Sequence, residues 1–285
     1  MLACYINEKG IVADKKNASD STEIAFVGVW DTVASFGALN LDRDQEPISE
    51  EIKENGRIAS NVRKAYHLVA VDDPRLAFRP TLMGFEGRVH EIWFPGVHSD
   101  VGSGYREDGL SDLALEFMLA RAGQEGIVFK KPAELDYLTL GGPSNQDKAP
   151  PDIALQDVEI KPDLKGRLHI DRIRDEKELF ASVALGLRNI YVAVDDKKSS
   201  QPPVVHHTVI DRIKAIPSYR PPNLLHLKHR VLFEDGSIKT FEGGLDDHLS
   251  VASSINFYNG CGADAKGRPL RQSKKLSCTR LVNLW

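Results

Sequence analysis

Two residues in this sequence stand where side chains can do chemistry. His98 lies in "WFPGVHSDVGSGY" (93–105), after an apolar run broken by Pro95 and Gly96, with Asp100 two positions further on. Asp31 follows the apolar run "IAFVGVW" (24–30) with no residue between. In an open α/β sheet, ligands and catalytic groups collect at the carboxyl ends of strands. An acid at one such end and a histidine at another are therefore candidates for a pair in which the carboxylate fixes the imidazole tautomer and the imidazole serves as general base. The 67 positions separating them leave room for a crossover connection. From position alone, Asp31 or Thr32 capping a turn fits equally well, and a His98 satisfied by loop backbone fits better than a catalytic base.

The neighbours of His98 read as loop-structuring residues. Asp100 is expected to accept backbone N–H groups two residues on, as in an Asx turn, and Gly96, Gly102 and Gly104 supply the conformational freedom of a tight loop, the last two through positive φ. A metal site built from Asp31, His98 and Asp100 has little support, because no second histidine with ligand spacing accompanies them. His206 and His207 are adjacent, and adjacent helical residues do not face one site. Neither a metal nor a cofactor is expected.

The elements that must position the pair follow from periodicity. "IAFVGVW" and "RVHEIWF" (88–94) read as strands buried on both faces. "RIASNVRKAYHLVAV" (57–71) places Ile58, Val62, Ala65 or Tyr66, and Val69 in a helical series closed by Pro74. "LSDLALEFMLARAG" (110–123) reads as a helix with Ser111 as N-cap, Gly123 as stop, and Leu115, Met118, Leu119 and Ala122 on one face. Strand, helix, strand, helix predicts an α/β fold with a mostly parallel sheet and crossover helices.

Further on, "GGPSNQDKAPPDIALQDVEIKPD" (141–163) reads as a long surface connection, which suggests a division near residue 145 into 1–145 and an accessory mixed α+β region, 146–285. Within the second part, helices are expected around "DEKELFASVALGL" (175–187) and "HHTVIDRIKAI" (206–216), and a hairpin over "HRVLFEDGSIKTFEG" (229–243) turning at Asp235-Gly236.

Composition narrows the partners. With 37 basic and 41 acidic residues interspersed, the chain lacks the electrostatic footprint of a nucleic-acid binder. The three cysteines, Cys4, Cys261 and Cys278, are widely separated and read as free thiols of a reducing compartment. The apolar runs fall far short of the roughly 20 residues that span a bilayer, and no signal-peptide pattern opens the chain, so a cytoplasmic origin is expected.

"FVGVWDTVASFG", "AYHLVAVDDPRLAFRP", "WFPGVHSDVGSGY" and "GLSDLALEFMLARA", in this order, resemble an α/β-hydrolase family that includes the type VI secretion phospholipase effectors. The resemblance covers roughly residues 1–125, and "YRPPNL" (219–224) is similar to a weaker element further downstream. It implies that Asp31 and His98 are the acid and base of a Ser-Asp-His triad, that the substrate is a lipid or other ester, and that a dedicated secretion system could export the protein.

The same resemblance puts the nucleophile in a G-x-S-x-G elbow ahead of the first strand, followed by a helix that "LACYINEKGIV" resembles. No G-x-S-x-G occurs in the 285 residues. Ser35, Ser99, Ser103 and Ser111 are weak substitutes because none stands on a strand-to-helix elbow, and Cys4 reads as a core thiol. The expectation is the carboxyl-terminal part of an α/β-hydrolase, lacking its amino-terminal strands and nucleophile, inactive alone and prone to self-association through an unpaired edge at "IAFVGVW" or "VHEIWF". The alternative is a non-catalytic remnant or binding module that keeps the hydrolase loops without the reaction.

Overall fold

The computed structural model describes residues 23–33, 58, 60–129, 159–170, 185–195 and 197–249. The expectations for residues 1–22, with Cys4, and for Ser35, Cys261, Cys278 and most of 175–187 lie outside the described residues.

The architecture is α/β. A six-stranded sheet has the order β1-β2-β3-β6-β7-β8, where β1 is Val27–Trp30, β2 Ala65–Ala70, β3 Val89–Phe94, β6 Val204–His206, β7 His229–Leu232 and β8 Ile238–Phe241. All neighbours are parallel except β7 and β8, which pair antiparallel. A separate two-stranded ribbon joins β4 (Ala193–Val194) to β5 (Lys197–Lys198). Among the described residues the α-helices are α1 (His98–Gly102), α2 (Gly109–Gln124) and α3 (His207–Ala215).

Alternation along the strands separates two cores. Leu68, Ala70, Ile92 and Phe94 pack with Val101 of α1 and with Ala114, Phe117 and Met118 of α2. Val69, Trp93, Val205 and Val231 point the other way and pack with Val209, Ile210 and Ile213 of α3 and with Tyr219 and Leu224. Each strand of the sheet centre is thus covered on both sides, which is why these runs carry so few polar residues.

The series at 57–71 does not form a helix. Residues 65–70 are β2, buried at every position and hydrogen-bonded between β1 and β3. A strand buried on both faces has no polar–apolar alternation, so "AYHLVA" accommodates either period. Its place between two parallel partners decides the matter. The connection from β2 to β3 carries a 3-10 turn at Leu76–Phe78.

Helix α2 is present, with different ends and a rotated buried face. Asp108 is the N-cap and Ser111 lies inside the first turn, its hydroxyl donating to the Asp108 carbonyl at 2.8 Å. The helix runs past Gly123 and stops at Gly126, whose φ is +89°. Gly126 N–H bonds the Gly123 carbonyl and Ile127 N–H bonds the Ala122 carbonyl, the pairing of a Schellman motif. Ala114, Phe117, Met118 and Ala122 are buried, whereas Leu115 and Leu119 are only half-buried.

The hairpin at Asp235-Gly236 joins β7 to β8, with Gly236 at φ +82°. The sheet has strands on both sides of the boundary suggested near residue 145: β1–β3 precede it and β6–β8 follow. "VHEIWF" is not an edge, because β3 is paired on both sides. Among the described residues, β1 is the strand paired on one side only at that end of the sheet.

Candidate active site

Asp31 and His98 meet at the carboxyl ends of β1 and β3. His98 Nδ1 lies 2.8 Å from Asp31 Oδ2. A carboxylate at Nδ1 selects the tautomer with its proton there, leaving Nε2 as the nitrogen able to accept one. Asp31 is fully buried, whereas the His98 side chain is 28% exposed, so the pair is anchored at the acid and open at the base.

The sheet and a distant arginine build the Asp31 environment. Its amide bonds the Leu68 carbonyl at 2.7 Å, continuing the β1–β2 ladder, and its Oδ1 accepts the Ala70 amide at 2.9 Å and Arg188 at 2.5 Å. Arg188 also donates to the carbonyls of Ala70 and Phe78. Burial pushes the Asp31 carboxyl up, but the Arg188 charge and the hydrogen bonds from His98, Arg188 and Ala70 outweigh it and hold the group below the usual carboxylate range. Asp31 is therefore a fixed anion. Its φ of +37° is unusual for a non-glycine residue. The next residue is pinned as well, since Thr32 N–H donates to His67 Nε2 at 3.0 Å while His67 Nδ1 faces Glu91 Oε1 at 3.1 Å.

His98 stands at the first position of α1 rather than in irregular loop. Asp100 does not form the expected turn two residues on. Its Oδ2 reaches back to the Val97 amide at 3.0 Å and across to the His169 amide at 3.1 Å, and its Oδ1 meets His169 Nδ1 at 2.5 Å. The local bond runs backwards because residues 98–102 coil into a helical turn that brings the Asp100 carboxylate over the Val97 amide at its start. Gly96 and Gly104 have φ of +125° and +137°. Gly102 instead ends α1 in ordinary conformation, and Ser103 takes the left-handed φ of +70°.

The sequence reading missed three groups. Arg188 is 157 positions from Asp31, and no local pattern connects them. Asp72 and Asp73 were hidden by reading 57–71 as a helix; read as a strand, the same run puts both acids at a carboxyl end, as with Asp31. Asp73 Oδ2 accepts the His98 amide at 3.0 Å, and Asp72 Oδ2 accepts the Gly96 amide at 2.8 Å.

Ser99 lies in the first turn of α1 and Ser103 at its end, while Ser111 bonds Asp108; among the described residues no serine hydroxyl is hydrogen-bonded to His98. A groove of about 390 Å³, walled by Tyr66, His90, Phe117, Arg121, Val204 and Arg230 among others, includes neither Asp31 nor His98. Among the described residues no three His, Cys, Asp or Glu side chains converge to hold a metal ion, and no helix is long and apolar enough to cross a membrane.

Comparison with known proteins gives partial matches. An uncharacterized protein of Saccharomyces cerevisiae is 46% identical over 54 residues, which is 17% of this chain and 8% of that protein. The chain thus spans less than a tenth of that relative's length. The crystal structure of an uncharacterized protein from Pseudomonas aeruginosa matches 46% of this chain and 22% of its own at 24% identity, with a TM-score of 0.30, too slight a likeness to bear on the fold. Residues 7–121, which carry Asp31, Asp72, Asp73 and His98, match the model of the T6SS phospholipase effector Tle1-like catalytic domain.

Proposed function

We propose that this chain carries the acid and base of a serine-type carboxylic ester hydrolase of phospholipase type. The observation that carries the reading is the 2.8 Å contact between His98 Nδ1 and a buried, ionised Asp31. In this reading Asp31 orients the imidazole and stabilises the imidazolium, and His98 Nε2 takes the proton of a serine as the serine attacks the ester carbonyl. The same proton passes to the leaving alcohol, and a water activated by His98 then releases the acyl group. The serine stands on a G-x-S-x-G elbow outside these 285 residues, and the lipid-like ester is the substrate of the assembled protein.

The absence of G-x-S-x-G from the sequence also favours a second reading, a non-catalytic module that retains the hydrolase loops. Both readings expect the 285-residue chain alone to leave nitrophenyl esters and phospholipid vesicles intact and to resist fluorophosphonate labelling. They part when the coding sequence upstream of Met1 is joined in frame. The hydrolase reading expects labelling at one upstream serine and ester hydrolysis that His98→Ala abolishes. An assembled protein that neither labels nor hydrolyses, or one whose hydrolysis survives His98→Ala, overturns it.

A further inference from the structure

The geometry points to Asp72 and Asp73 as positioning residues that clamp the backbone leading into His98, at Gly96 and at the His98 amide itself, an inference that rests on the hydrolase reading for its functional meaning. Three successive amides end on three different carboxylates: Gly96 on Asp72 at 2.8 Å, Val97 on Asp100 at 3.0 Å and His98 on Asp73 at 3.0 Å. Hydrogen bonds to ionised acceptors are about twice as strong as neutral ones, so this stretch is held far more firmly than an ordinary loop.

Each clamp is itself anchored. Asp72 returns a bond from its own amide to the Gly96 carbonyl at 2.9 Å, and its Oδ2 also accepts the Tyr219 hydroxyl at 2.8 Å. Asp73 is held by the Arg75 amide at 2.9 Å and by the Arg75 guanidinium at 3.1 and 2.7 Å. Arg75 lies 3.5 Å over the Phe78 ring, and the Phe78 and His98 rings meet in a T-shaped contact at 5.1 Å between centroids. The two acids and the arginine therefore fix both the backbone of His98 and one wall beside its ring. Gly96 is required in this arrangement: its φ is +125°, and a Cβ there would stand 2.4 Å from the Asp100 Cβ.

The clamp is not the arrangement that stability alone favours. Burial pushes the Asp72 carboxyl up to about 6, against the opposing pull of the Gly96 amide, the Tyr219 hydroxyl and the Arg212 charge, while Asp100 adds to the rise. A structural tie could be made by a neutral side chain without that cost. The two adjacent acids supply the acceptors for the amides that set the position of the His98 imidazole, and a displacement of about 1 Å in a reacting group can cost about 100-fold in rate.

The test uses the 285-residue chain with ¹⁵N-labelled histidine. The wild type is expected to show a downfield Nδ1 proton for His98, assigned by its disappearance in His98→Gln. Asp73→Asn keeps the volume but gives up one of the two acceptor oxygens, and Asp72→Ala removes the Gly96 acceptor; each should shift or broaden that resonance while the far-ultraviolet circular dichroism remains that of the wild type. Asp72→Asn, which still offers an oxygen to Gly96, should restore it. In the protein joined to its nucleophile, Asp73→Asn should lower kcat about 10- to 100-fold with KM unchanged.

A resonance unmoved in both Asp73→Asn and Asp72→Ala overturns the clamp whatever the activity. Should Asp72→Ala fail to fold, Asp73→Asn set against Asp72→Asn decides by the same resonance. An assembled protein with no hydrolysis, but with the resonance lost in the clamp variants, leaves the clamp standing and removes the hydrolase reading.

Discussion

The molecule contains two aspartate–histidine pairs built on one short segment, and they are opposites. Asp31 meets His98 Nδ1 at 2.8 Å, and Asp100, two residues beyond His98, meets His169 Nδ1 at 2.5 Å. In the first pair the histidine side chain is 28% exposed; in the second it is fully buried. The Nε2 of His169 faces Glu107 at 3.3 Å, and its ring stacks on Tyr105 at 3.9 Å between centroids. A general base needs a nitrogen that a substrate can reach. His98 keeps one, whereas both nitrogens of His169 face carboxylates, so the second pair fastens residues 159–170 onto α1. The same contact is thus shared by an open pair and a structural latch, and what separates them is access to the second nitrogen.

The sharpest way to break this comparison is to remove each histidine in turn. In the protein joined to its nucleophile, His98→Ala should reduce ester hydrolysis by at least about 1,000-fold and leave the melting temperature nearly unchanged. His169→Ala should do the reverse: it removes a fully buried ring packed on Tyr105 and bonded to Asp100, and should cost about 3 kcal/mol in urea unfolding, with a far smaller effect on rate. Equal losses of stability in the two variants would dissolve the distinction.

Next in size is the anchoring of Asp31. Arg188→Met should destabilise by about 3 kcal/mol at neutral pH, since it strands a buried carboxylate. Asp31 is depressed in the folded state, so its contribution is present above its ordinary value of 3.8 and is lost as pH falls through the lower folded value. In Arg188→Met that acid-labile contribution should shrink or change sign, which stability curves between pH 3 and 7 measure directly. A parallel pair of curves would mean that Arg188 does not hold the Asp31 charge.

The smallest effect sharpens the segment between the pairs. Ser103 adopts φ +70° and ψ +163°, a conformation suited to glycine. Ser103→Gly should stabilise by up to about 1 kcal/mol in thermal unfolding and leave hydrolysis by the joined protein untouched. Loss of activity in this variant would return Ser103 to the list of candidate nucleophiles.

The legibility of the site followed the legibility of the strands. Asp31 and His98 could be found because "IAFVGVW" and "RVHEIWF" are apolar runs with evident ends. Asp72 and Asp73 could not, because "AYHLVAV" satisfies a helical series as well as a buried strand, and a helix there turns "DDPR" into a mere terminus. Ser111 looked like a cap because it precedes the apolar face of α2, yet Asp108, three residues earlier, starts the helix. Gly102 looked like the residue of positive φ, but α1 extends through it and hands that conformation to Ser103.

Sequence by itself determined the features governed by neighbours along the chain. These include the β1 and β3 runs with their terminal Asp31 and His98, the existence of α2, and the turn at Asp235-Gly236, where local backbone preference and hydrophobic period suffice. Tertiary structure alone decided that 65–70 is a strand, that Arg188 holds Asp31 from 157 positions away, and that Asp100 binds His169 from 69. The reason is physical: a buried charge is stable only beside its partner, and which partner arrives is set by how strands and connections pack, information that no short window of residues contains.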